Sequence, residues 1–153
     1  MEELQYHEQR DLKNKKKLQE LLAALPPFCA DFFRGIEPAT SSMTRLSYAY
    51  DISTFFDFLK KENPVFSKMD RMDFRLEHLD QLTVTDLEEY MEYLKYRFNE
   101  NNKEVINKER GIMRKISSLK SFYNYFYRAE RLNNNPAARI QLPKLREKEI
   151  IRL

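Results

Sequence analysis

The chain has 153 residues, with 27 Lys and Arg against 24 Asp and Glu, two Gly, no Trp, and 42% hydrophobic residues that include 11 Phe and 9 Tyr. That is one domain's length with a sizeable core, and scarce Gly beside abundant Leu, Lys, Glu and Arg excludes a turn-rich β architecture in favour of helices. Cys29 has no partner for an internal disulfide, no apolar run approaches the ~18 residues of a membrane span, and no signal-peptide pattern opens the chain, so a soluble cytoplasmic setting is expected.

In chain order, residues 3–25 form a charged helix candidate holding the cluster Lys13, Lys15, Lys16 and Lys17, either a solvated basic run or a contact for DNA. Pro26-Pro27 ends it, because proline removes a backbone donor and restricts the residue before it. A short aromatic helix over 28–34 follows, with Pro27 suited to its first turn and Gly35 and Pro38 at its exit. Ser41 or Ser42 then caps a long helix in which Tyr48, Ile52, Phe55, Phe56 and Leu59 make one apolar stripe, closed by Asn63-Pro64. In the polar connection over 65–83, Phe74, Leu76 and Leu79 are expected to tuck into the core, with a helical turn taking up its length. Thr85-Asp-Leu-Glu88 has the capping-box spacing and predicts a helix with Leu87, Met91, Leu94 and Phe98 inward. The polar run 99–103 closes it, and a last helix is expected from Lys103 or Val105 to Arg131, stopped by the run Asn133 to Pro136.

Charge is segregated. Residues 103–153 hold 13 Lys and Arg against 5 Asp and Glu, whereas residues 1–102 hold 14 against 19. A basic end on a near-neutral chain is the footprint of a surface that meets a polyanion, most often nucleic acid. On a wheel of ~100° per residue, Ile112, Met113, Ile116, Leu119, Tyr123, Phe126 and Tyr127 gather on one side of the last helix. Opposite them lie Arg110, Arg114, Ser117, Ser118, Ser121 and Arg128, with Lys115 and Lys120 flanking the apolar stripe. No carboxylate interrupts that polar strip. Short serines admit a phosphate ribbon close to the helix and donate to its oxygens, while arginine forks onto phosphate or guanine. A solvated face, in contrast, mixes both signs of charge.

The run Arg114-Lys-Ile-Ser-Ser-Leu-Lys-Ser-Phe-Tyr-Asn-Tyr-Phe-Tyr127, then Asn135-Pro136-Ala137 and Leu142-Pro143-Lys144, resembles the end of the core-binding domain of tyrosine recombinases. Thr44, Tyr48, Asp51, Ile52, Phe55 and Leu59 resemble that family's T-x-x-x-Y-x-x-D-L-x-x-F-x-x-x-L helix, and residues 82–90 its L-T-x-x-D-I-x-x-Y motif. Three such motifs in order span about two thirds of the chain, and the front end with Leu25-Pro-Pro-Phe is most similar to Xer-type recombinases and mobile-element integrases.

The resemblance implies an all-α bundle of four to five helices, the SAM-like integrase core-binding domain, which clamps a duplex DNA half-site during integration and recombination. It implies an N-terminal helical extension over 1–38, the DNA-binding domain over 39–140, and over 141–153 the start of a linker to a catalytic domain that the given chain lacks. It nominates Ser42, Thr44, Arg45 and Ser47 on the earlier helix for DNA contact, and Arg110, Arg114, Lys115, Ser117, Ser118, Lys120 and Ser121 on the last one. Arg45 departs from the family pattern, which has an apolar residue there. Lys144, Arg146 and Lys148 are nominated on the linker.

The family's catalytic Arg/Lys/His/Arg/His set and Tyr nucleophile are expected beyond residue 153, so the chain as given is expected to bind DNA and do no chemistry. No Gly-rich phosphate loop and no Cys/His metal spacing is present, so no cofactor, metal or small-molecule substrate is expected. Expected partners are double-stranded DNA and other recombinase protomers, with no membrane. Two other readings stay open: a helical protein–protein module that docks through the first helix and the Phe28–Phe33 segment, which a surface-exposed Phe32 or Phe33 would favour, and a stand-alone DNA-binding regulator.

Overall fold

The computed structural model describes residues 5–99 and 101–142. The described residues form an all-α bundle of six helices with one small hairpin: α1 (Tyr6–Ala23), α2 (Cys29–Ile36), α3 (Ser42–Glu62), α4 (Leu76–Leu79), α5 (Val84–Lys95), β1 (Arg97–Phe98), β2 (Glu104–Val105) and α6 (Glu109–Arg128). β1 pairs antiparallel with β2, Arg97 opposite Val105 and Phe98 opposite Glu104.

α3 begins where its cap chemistry dictates. The Ser41 side chain accepts from the Thr44 backbone N–H at 3.1 Å, and Asn63 closes the far end. Of its expected stripe, Ile52, Phe55, Phe56 and Leu59 are completely buried and Tyr48 is half-buried against the core. The connection to α5 tucks Phe74, Leu76 and Leu79 into the core, as expected, through single helical turns and α4. Around them Phe32, Phe122 and Phe126 interlock edge-to-face with centroids 5.2 Å apart in both pairs, and Phe66 stands perpendicular to Phe74 at 4.6 Å. Phe32 and Phe33 are thus core residues, so neither supplies the exposed aromatic surface that would favour the protein–protein reading.

Both ends of three expected helices move. α2 starts at Cys29 and runs through Gly35 to Ile36, so Pro27 precedes the cap residue Phe28 and lies outside the first turn. The capping box is Thr83 with Asp86, two residues before the expected pair, with Thr83 N–H donating to Asp86 at 2.8 Å and Asp86 N–H to the Thr83 hydroxyl at 3.2 Å. α5 stops at Lys95, and the expected start of the last helix is spent on the hairpin, leaving Phe98 exposed. α6 stops at Arg128. Glu130 then takes a left-handed backbone (φ 59°) and donates its N–H to the Tyr127 carbonyl, while Arg131 donates to Phe126 at 2.9 Å. This is a Schellman close with Glu where Gly is usual.

α1 does not stand apart from the bundle. It packs along α3, and its buried Asn14 donates to the Ser42 hydroxyl, which in turn donates to Asp11 at 2.8 Å.

Candidate nucleic-acid interface

The site is built where α3 meets α6. Asp51 on α3 is a carboxylate with 1% side-chain exposure. It accepts from the Ser118 hydroxyl at 2.6 Å, the Lys115 ammonium at 3.0 Å and the Arg114 guanidinium at 3.1 Å, all on α6. A buried carboxylate is tolerated because three donors replace its water. The consequence for α6 is rotational: Lys115 and Ser118 turn inward, and the face opposite is fixed toward solvent.

That face carries Arg110, Arg114, Ser117, Ser121, Asn124 and Arg128, at helical spacings of three and four residues. All are exposed except Ser121, which is half-buried. The strip has no carboxylate of its own. Arg114 remains 63% exposed while one amino group rests on Asp51, so its direction is set without loss of access. On α3, Thr44 and Ser47 are exposed, as are Met43 and Tyr50, and Thr54 is half-buried beside them.

Four expected contact residues are therefore internal, and the expectation is corrected. Ser42 is bound between Asn14 and Asp11. Arg45 is 6% exposed and donates to the Glu37 and Thr40 carbonyls, where it ties down the corner between α2 and α3. Lys115 and Ser118 serve Asp51. Lys120 is half-buried and donates to the Ile140 carbonyl at 2.9 Å, holding the C-terminal segment on α6. Lys144, Arg146 and Lys148 lie outside the described residues. Asn124 and Tyr50 add to the expected set. Asn124 is readable from the sequence, seven residues after Ser117 on the same strip, whereas the exposure of Tyr50 results from packing.

The tyrosines within the bundle serve packing. The Tyr123 hydroxyl donates to the Leu79 carbonyl, and Tyr90 is wholly buried with its hydroxyl unpartnered among the described residues. Burial pushes both phenols well above their usual range. No group of three or more acidic, His or Cys side chains able to hold a metal ion occurs among the described residues, and none of their helices is long and apolar enough to cross a membrane.

Over 139 residues the chain is 34% identical to tyrosine recombinase XerC of Caldanaerobacter subterraneus subsp. tengcongensis, covering 86% of this chain and 38% of that protein. It matches the N-terminal domain of Xer-like tyrosine recombinases. Identity is 30% over 113 residues to XerC of Anoxybacillus flavithermus (74% of this chain, 31% of that protein) and 31% over 112 residues to XerD of Rickettsia bellii (73% and 30%). The Xer-like domain thus spans about a third of the length of these relatives. No family model and no solved structure matches it.

Proposed function

We propose that this Xer-like domain binds duplex DNA in the cytoplasm as the non-catalytic arm of a site-specific recombinase, clamping one face of a half-site while a catalytic domain in the same polypeptide cuts and rejoins strands. The observation that carries the reading is the carboxylate-free strip of α6, held outward because Asp51 takes up the inward donors. An α-helix fits the major groove of B-DNA. The exposed Thr44, Ser47 and Tyr50 side of α3 supplies a neutral floor, and Arg110, Arg114 and Arg128 supply charge along one edge. Phosphate contacts from the α6 strip position the domain, while Thr44, Ser47 and Tyr50 on α3 are the side chains offered to base edges. Neighbouring protomers of the same recombinase are the expected protein partners on DNA.

The test is a duplex-binding titration at low salt. Arg114→Ala is expected to weaken binding at least several-fold and Glu89→Ala, on an exposed turn of α5, to leave it unchanged. Equal binding by the two variants would place the interface elsewhere.

A further inference from the structure

α3 is flanked on both sides. Ser42, which holds α1, and Asp51, which holds α6, are nine residues apart and so lie ~180° apart around the α3 axis. Midway between them on the outer side stand Met43, Ser47, Tyr50 and Thr54, and midway on the inner side Ile52 and Leu59 enter the core. The exposed face is therefore three helices wide, with α3 in the middle.

α1 has two flanks beside the side chains that pack on α3. One carries Lys15, Leu18, Gln19 and Leu22, and it closes a cleft against Ala30, Phe33 and Arg34 of α2, on the core side. The other flank points away from α2, toward the outer strip of α3. It carries Arg10, Lys13 and Lys17 at spacings of three and four residues, all exposed. Arg10 and Lys13 have no ionic partner among the described residues, and Lys17 makes only a loose surface pair with Glu20 at 3.4 Å.

We infer that Arg10, Lys13 and Lys17 form a second phosphate-binding rail, gripping the DNA strand across the groove from the one that the α6 arginines engage. The inference rests on the DNA-binding reading above and extends it to a helix outside the strip that carries it. Packed helices sit 8–10 Å apart, so α1 and α6 are separated by ~16–20 Å across α3. A major groove ~12 Å wide between its backbones accepts α3 and brings both flanking helices over phosphate. A neutral floor between two basic edges is the charge pattern that such a groove selects.

The test measures how duplex affinity of the full 153-residue chain falls with KCl, using a labelled random-sequence duplex over about 50–200 mM salt. Each phosphate contact contributes ~0.9 to the slope of log affinity against log salt, so Arg10→Ala/Lys13→Ala/Lys17→Ala is expected to lower the slope by up to ~2.7. The control Lys15→Ala/Lys16→Ala/Lys68→Ala removes equal charge from other surfaces. A fall of at least about 1 in the first variant, with the control near wild type, supports the rail. A smaller fall, or an equal fall in the control, overturns it. If Arg110→Ala/Arg114→Ala lowers the slope while the α1 variant does not, the rail alone fails; if the wild-type chain binds no duplex, the DNA reading fails with it. Circular dichroism of each variant checks that these exposed substitutions leave the helices intact.

Discussion

The substitution Asp51→Asn tests the joint between α3 and α6. Asparagine keeps the shape and an acceptor for the Ser118 hydroxyl but removes the charge. Lys115, with 8% side-chain exposure, is then a buried ammonium without a counter-ion. Leaving one member of a buried pair alone costs about 3–5 kcal/mol, a large part of the 5–15 kcal/mol that holds a domain folded. Arg114 adds little to this sum, because its side chain is 63% exposed and can turn to water. For a chain of this size, ~3 kcal/mol corresponds to a Tm about 10 °C lower. Urea unfolding followed by circular dichroism reads the change. Adding Lys115→Met to Asp51→Asn should restore most of the loss, since an apolar stem in place of the ammonium leaves no unpaired charge. The reasoning is refuted if Asp51→Asn costs less than about 1 kcal/mol or if Lys115→Met brings no recovery in that background.

Tyr90→Phe should leave stability unchanged or raise it by about 1 kcal/mol, because the lost hydroxyl has no partner in its buried site; urea midpoints decide. Glu130→Gly should raise stability by about 0.5–1 kcal/mol by relieving a left-handed backbone at the close of α6, read from the same unfolding curves. A hydrogen bond from Arg131, helped by Arg34, holds the Asp31 carboxyl below its usual range. A lowered folded pKa means stability that is present above the unfolded value near 4 and lost as pH falls through the folded one. Asp31→Asn should therefore flatten the acid limb of a plot of urea midpoint against pH below about 4 and leave its neutral part parallel, a modest effect because the side chain is 30% exposed.

Much of this architecture was legible because local and tertiary preferences agree. The bounds of α3 follow from Ser41 and Asn63, and its buried stripe from the spacing of Ile52, Phe55, Phe56 and Leu59. The capping box moved because Thr83–Asp86 and Thr85–Glu88 have equal spacing, and burial of Leu82 to 3% fixes the chain at the earlier pair. The hairpin escaped notice because each strand has only two residues, too few for alternation to register. At the candidate interface, a wheel that sends polar side chains to solvent placed Arg110, Arg114, Ser117 and Ser121 on one strip. It misplaced Lys115 and Ser118 because their partner Asp51 lies more than sixty residues earlier in the chain. Arg45 stood out as a departure from the family pattern, but its use as a clamp on the Glu37 and Thr40 carbonyls depends on a corner that only the folded chain creates.

Glu130 ties the close of α6 to the segment after it. Because that residue reverses the backbone, Asn133 and Asn134 reach the Asp80 carboxylate, donating backbone N–H groups at distances from 2.7 to 3.0 Å. The outgoing polypeptide is thereby steered back over the bundle and does not continue the helical axis. The described segment up to Leu142 is thus pinned to the bundle at two points, by Asp80 at Asn133 and Asn134 and by Lys120 at the Ile140 carbonyl.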